Sequence, residues 1–117
     1  MRVLVVDDNW QIAELLSRMV QQVGHTTFIA TDGLTAVRMA LALPPDLVLL
    51  DIQMPGIDGY ETARRLRIQH GRALPIFAVT SCEIDVTLAD ANGFSGWFEK
   101  PLGIDQLRAL LCLPTCV

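Results

Sequence analysis

Apolar residues fall along this chain in two alternating rhythms. Short continuous runs, Val3-Leu4-Val5-Val6, Leu47-Val48-Leu49-Leu50 and Ile76-Phe77-Ala78-Val79, have the length and aliphatic character of strands covered on both faces. Between them the spacing becomes helical: Ile12, Leu15, Leu16, Met19, Val20 and Val23 recur along one side, with Gln11, Glu14, Arg18 and Gln22 on the other, until Gly24. The pattern predicts strands over 2–6, 27–30, 47–50, 76–79 and 97–99. It predicts helices ending near Gly24 and spanning about 34–43, 60–69, 83–92 and 104–111. Pro44-Pro45, Gly71, Gly93 to Gly96 and Pro114 supply the stops, and Asp58 or Gly59 caps the third helix. The fourth helix is the thinnest, with only Ile84, Leu88 and Ala91 as its apolar stripe.

Strands alternating with helices predict an α/β fold: one doubly wound, five-stranded parallel sheet in the order 2-1-3-4-5, joined by right-handed crossovers. That flavodoxin-like order serves both flavin-binding and signalling proteins, so it does not choose a function. At 117 residues the chain fits one domain, 1–117. No apolar run approaches the roughly 20 residues of a membrane span, and the first strand begins at Arg2, so a cytoplasmic protein without a leader is expected. Three cysteines, Cys82, Cys112 and Cys116, are an odd number without CxxC spacing and read as inert thiols of a reducing compartment. A net charge of −4 argues against direct nucleic-acid binding. The one basic cluster, Arg64, Arg65 and Arg67, lies beside Glu61 and reads as a solvated face with local ion pairs. The single lysine of the chain is Lys100.

In a parallel sheet every strand ends at the same edge. Asp7 and Asp8 after the first strand, Asp51 after the third, Thr80 at the fourth and Lys100 after the fifth therefore converge. Three neighbouring carboxylates repel one another, and protonation or a cation relieves them. With oxygen donors only, Mg2+ is the natural guest. A carboxylate placed like Asp51 can attack a phosphoryl group once cations neutralise the transferring oxygens. Lys100 suits one of those oxygens as a mobile point charge, and the Thr80 hydroxyl suits another.

These residues resemble the receiver domains of two-component response regulators over essentially the whole chain. The matching motifs are Asp7-Asp8, Asp51 followed by Met54-Pro55-Gly56 and Asp58-Gly59, Thr80-Ser81, and Lys100-Pro101. The resemblance implies that Asp51 accepts phosphate from a histidine kinase or a histidine phosphotransfer protein. It implies Mg2+ bound by Asp8, Asp51 and the Gln53 carbonyl, with Asp7 acting through water, and a cis bond before Pro101. Such a protein is a phosphoacceptor that catalyses its own modification, with room for slow self-dephosphorylation, and not an enzyme in the ordinary sense. The family's switch pairs the strand-four Thr with an aromatic residue on strand five, and Trp97 stands there in place of the usual Tyr or Phe. Switching is expected to alter the surface of helix 4, strand 5 and helix 5, where a downstream protein would bind. Ser81 and Gly103 are further departures, replacing a common Ala and a common acidic cap.

Three other readings have discriminating residues. A degenerate receiver acting as a phosphorylation-independent binding module would fold but take no phosphate, and the full acid, Thr and Lys set opposes it. A metal-dependent phosphohydrolase usually needs a second acid two residues after the nucleophile, where this chain has Gln53. A flavin binder needs phosphate-binding donors after strand one, where Asp7 and Asp8 would repel an anion.

Overall fold

The structure, a computed structural model, describes residues 1–81 and 84–112. The chain alternates β1 (Arg2–Val6), α1 (Trp10–Gln22), β2 (Thr26–Ala30), α2 (Gly33–Ala42), β3 (Leu47–Leu50), α3 (Gly59–His70), β4 (Ile76–Thr80), α4 (Val86–Ala91), β5 (Gly96–Glu99) and α5 (Ile104–Cys112). The five strands form one parallel sheet in the order β2-β1-β3-β4-β5, as the pattern predicts. The readings of Cys82 and Cys116, the helix start at Glu83 and the stop at Pro114 fall outside the described residues.

Strand periodicity divides the core in two. Val3, Val5, Leu47 and Leu49 point to the face covered by α1 and α5, where they meet Ala13, Leu16, Val20, Leu107, Leu110 and Leu111. Leu4, Val6, Val48, Leu50, Ile76 and Ala78 point to the other face, against Ala36 and Ala40 of α2, Ala63 and Leu66 of α3 and Ala89 of α4. Small residues dominate the helix side of this second layer, which lets three helices lie close on a narrow sheet.

Two helices bury only part of the expected stripe: Leu16 and Val20 of α1 are in the core, and Met19, Val23 and Ile84 pack against it, but other positions differ. On α1 the buried residues are Ala13, Leu16, Ser17 and Val20, while Leu15 is 59% and Ile12 37% exposed. Ser17 hydrogen-bonds the Thr27 hydroxyl of β2, a polar contact that satisfies it inside the seam. On α4 the Asp85 carboxylate accepts the Leu88 N–H and starts the helix at Val86. Ala89 is then the buried residue, and Leu88 and Ala91 are exposed.

Candidate active site at the carboxyl edge of the sheet

Each strand end contributes through a local reason. β1 stops because the Asp7 carboxylate turns back to accept the Asn9 N–H at 2.9 Å, and Asn9 in turn caps α1 by accepting from Gln11 and Ile12. The Asp7 N–H still donates to Ala30 of β2 at 3.1 Å, so the acid is tied to the sheet. Asp51 is held the same way, its N–H donating to the Val6 carbonyl at 2.9 Å. Thr80 closes β4 and is buried, and its carbonyl accepts the Lys100 N–H at 2.9 Å. The chain enters α5 through a cis Lys100–Pro101 bond.

The loop after β3 is fixed from below. Asp58 caps α3 by accepting the Glu61 N–H at 2.9 Å, and the Gly59 N–H donates to Ile52 at 2.7 Å. A Cβ on Gly59 would lie 2.3 Å from the Asp51 carbonyl oxygen and 2.6 Å from the Ile52 Cα. Gly59 is therefore a close-approach glycine that lets the start of α3 press on the Asp51 backbone. No apolar or charge pattern announces this; the only signal was its place in Asp58-Gly59. Gly56 has φ +80 with open space around it, a turn glycine of the ordinary kind.

Side-chain oxygens of Asp7, Asp8 and Asp51 all lie within 4.8 Å of one another. Asp7 and Asp51 are only 3% and 6% exposed, whereas Asp8 is open to solvent. Among the described residues Lys100 is the one cation paired with these acids: its Nζ is 2.7 Å from Asp7 and 3.5 Å from Asp51. Burial pushes the Asp51 carboxyl above its ordinary range and the Asp7 charge adds to this, with Lys100 pulling the other way. For Lys100, burial alone would favour the neutral amine. The Asp7 hydrogen bond and the charges of Asp51 and Asp7 together reverse that and raise its pKa. Three carboxylates against one ammonium leave a deficit of positive charge at a site whose donors are all oxygen, and a hard divalent cation such as Mg2+ fits that deficit.

The structure thus gathers Asp7, Asp8, Asp51 and Lys100, with Thr80 ending the strand between those that present Asp51 and Lys100. Gln53 lies exposed on the loop after β3, lining a groove of about 520 Å3 with Tyr60 and Asp85. Across it the Tyr60 hydroxyl accepts the Asp85 N–H at 3.0 Å, so α3 holds the start of α4. Trp97 is 43% exposed on β5 opposite Ala78, and it is Phe98 that packs into the core. The basic cluster divides: Arg64 and Arg65 pair with Glu61 at 2.6 and 2.8 Å, as a solvated face would, but Arg67 turns inward onto backbone carbonyls.

Comparison with known proteins decides the family. The family model described as response regulator receiver domain matches residues 3–112. The chain belongs to this family. Among curated relatives, sporulation initiation phosphotransferase F of Bacillus subtilis is 34% identical over 108 residues, covering 92% of this chain and 87% of the relative. The DNA-binding response regulator MtrA of Mycobacterium tuberculosis is also 34% identical over 108 residues, covering 92% of this chain and 47% of the relative. The receiver thus spans about half the length of the MtrA relatives it matches. Among solved structures, chemotaxis protein CheY4 of Vibrio cholerae superposes with a TM-score of 0.86 at 29% identity, covering 99% of this chain and 98% of that one. Response regulator TrrA of Thermotoga maritima, solved in complex with Mg2+-BeF, superposes at 0.85 with 31% identity, covering 94% of this chain and 95% of that one. Receiver domains of two-component response regulators are phosphoacceptors. Among the described residues, no helix is long and apolar enough to cross a membrane.

Proposed function

We propose that residues 1–117 form one cytoplasmic receiver in which Asp51 takes a phosphoryl group from a phosphohistidine of a histidine kinase or phosphotransfer protein. The observation that carries this reading is the pairing of a buried, sheet-anchored Asp51 with Lys100 at 3.5 Å and two further carboxylates within 4.8 Å. An Asp51 oxygen attacks phosphorus as the bond from phosphorus to the donor imidazole breaks. Ionised Asp51 is needed for the attack, and Lys100 favours that form. The Lys100 ammonium stays charged well above neutral pH and is held near the developing negative oxygens. The Thr80 hydroxyl, at the end of the neighbouring strand, hydrogen-bonds the transferred group. Asp7, Asp8, Asp51 and the Gln53 carbonyl would hold Mg2+, which when bound supplies Lewis-acid neutralisation of the phosphoryl oxygens. The same acids and Lys100 leave room for slow self-dephosphorylation, the return of the phosphoryl group to water.

Output runs through α4, β5 and α5. Val86 and Leu88 on α4 and Trp97 on β5 are 47%, 45% and 43% exposed, apolar contacts suited to a protein partner. Thr80 and Trp97 form the switch pair, and the phosphoryl group acts by shifting a pre-existing equilibrium. The net charge of −4 supports a receiver that does not itself touch nucleic acid.

Incubation with Mg2+ and acetyl phosphate should add one phosphoryl group by intact mass, and Asp51→Asn should take none. A wild-type protein that stays unmodified with both small-molecule and kinase donors would overturn this function in favour of a phosphorylation-independent binding module.

A further inference from the structure

On the edge of the sheet opposite the carboxylates, the C-terminal half of α3, the turn after it and the segment from α4 to β5 enclose a groove of about 540 Å3. Its walls carry Arg64, Arg67 and Arg72 against a single acid, Asp90. Arg64 is committed to Glu61. Among the described residues, Arg67 and Arg72 have no carboxylate partner, and Asp90 makes no ion pair with either. Two guanidinium charges thus stand uncompensated in one concavity of a chain whose net charge is −4.

Arg67 is held in place before any ligand arrives. Its Nη1 donates to the Gly71 carbonyl at 2.7 Å and the Leu74 carbonyl at 2.6 Å, and its Nη2 donates to the Gly93 carbonyl. Gly93, at φ +84, makes room for it: a Cβ there would lie 2.7 Å from the Arg67 Nε. Three of the five N–H bonds are used on neutral carbonyls and the Nε is buried, which leaves one Nη2 hydrogen and a positive charge with no anionic partner on a side chain that lines the groove. Burial and then the nearby Arg72 charge both work against protonation of Arg67, the repulsion an anion between them would relieve. Ser95 accepts the Ile76 N–H at 3.1 Å and keeps its own proton to donate. Ile68, 70% exposed on the rim, offers apolar contact to an organic group.

We propose that this groove binds the phosphate of a small phosphorylated molecule between Arg67 and Arg72, at a site separate from the phosphoacceptor edge. Paired guanidinium groups match a doubly charged phosphate better than a single carboxylate. The concave form suits a small molecule over an extended surface.

The test uses the full chain in EDTA, so that the carboxylate edge holds no metal, titrated with pyrophosphate or ADP and followed by 15N NMR. Saturable shifts are expected at the amides of Gly93 and Ser95 and at the Arg72 side chain, weakening with added salt. Arg72 is exposed, so Arg72→Gln should fold normally and lose about tenfold in affinity. Asp51→Asn should bind as wild type does. ADP binding more tightly than pyrophosphate would identify a nucleotide as the natural source, and equal binding would identify the phosphate alone. Absence of saturable shifts, an Arg72→Gln protein that binds normally, or loss of binding in Asp51→Asn would each overturn the proposal.

Discussion

Replacing Gly59 with Ala should damage both the fold and the chemistry, although alanine is the better helix residue. The added Cβ would meet the Asp51 carbonyl oxygen at 2.3 Å, where ordinary contact begins at 3.4 Å. The obstacle is backbone and cannot swing aside. Overpacking of this kind costs about 1–3 kcal/mol, and the obstacle places Gly59 at the upper end. Against it stands the helix preference for Ala, up to about 1 kcal/mol, so a net loss of about 2 kcal/mol is expected. With an unfolding entropy of about 2.1 cal/mol/K per residue, that loss lowers Tm by about 8 °C in a chain of this length. Relief by moving the loop displaces Asp51 itself, and a misplacement of about 1 Å slows transfer by about a hundredfold. Urea melts and the rate of phosphoryl addition from acetyl phosphate read the two effects separately. Gly71→Ala is the control: at φ +76 with nothing within 4 Å, it should cost stability through backbone conformation alone and leave transfer unchanged. A Gly59→Ala protein within about 0.5 kcal/mol of wild type and phosphorylated at the normal rate would refute the close-approach argument.

Metal-free Asp51→Asn should be more stable than wild type at neutral pH. The folded carboxyl titrates above 3.8, so between that value and its raised pKa the folded state holds a proton that the unfolded chain has lost. Stability therefore falls as pH rises through that window and stays lower above it; thermal melts should show the gain from Asn vanish below the ordinary carboxyl range. Lys100→Met leaves Asp7 and Asp51 without their cation and should cost roughly 2–3 kcal/mol without metal. Mg2+ should then raise its Tm more than it raises that of wild type, and equal responses would argue against a shared site. Arg67→Met removes three carbonyl contacts and should cost about 2–3 kcal/mol; amide exchange should quicken from Val86 to Ser95 and stay slow in α1. Trp10 begins α1 beside the acidic loop and is 55% exposed, so Mg2+ should change tryptophan emission, with Trp10→Phe removing most of the change. A flat titration counts against metal at this edge.

Strand positions and sheet order were legible because each central strand is buried on both faces, and a run such as Leu47 to Leu50 has no other stable use. The acids and Lys100 were legible because parallel strands place all their ends together. Helix faces were less so. Leu15 and Leu88 look like core by hydropathy, yet Ala13 and Ala89 are buried in their stead, Ala13 beside Leu16 and Val20, because the angle at which each helix meets the sheet and not hydropathy alone decides which positions turn inward. On α4, the Asp85 cap settled which residues turn inward, and a cap is one residue among several that look alike in sequence. Arg67 was hidden for a related reason: helical spacing groups it with Arg64 and Arg65, but its partners are carbonyls of Gly71, Leu74 and Gly93, which carry no side-chain signature.

The starting partner of Lys100 was also beyond the sequence, and it bears on how a chemical event would reach β5. Lys100 sits closer to Asp7 than to Asp51, at 2.7 against 3.5 Å. In the proposed reaction the phosphoryl group adds negative charge on the Asp51 side and competes with Asp7 for the same ammonium. Lys100 directly follows β5, and its backbone N–H is bonded to the Thr80 carbonyl. A shift of the ammonium toward Asp51 therefore draws on the β4–β5 edge, where Thr80 and Trp97 lie. Asp7→Asn separates this from a purely local role: with the competitor removed, Lys100 is already free to face Asp51. The conformational difference between unmodified and phosphorylated protein, read by amide shifts on β5, should then shrink. An undiminished difference would place the origin of switching in Thr80 alone.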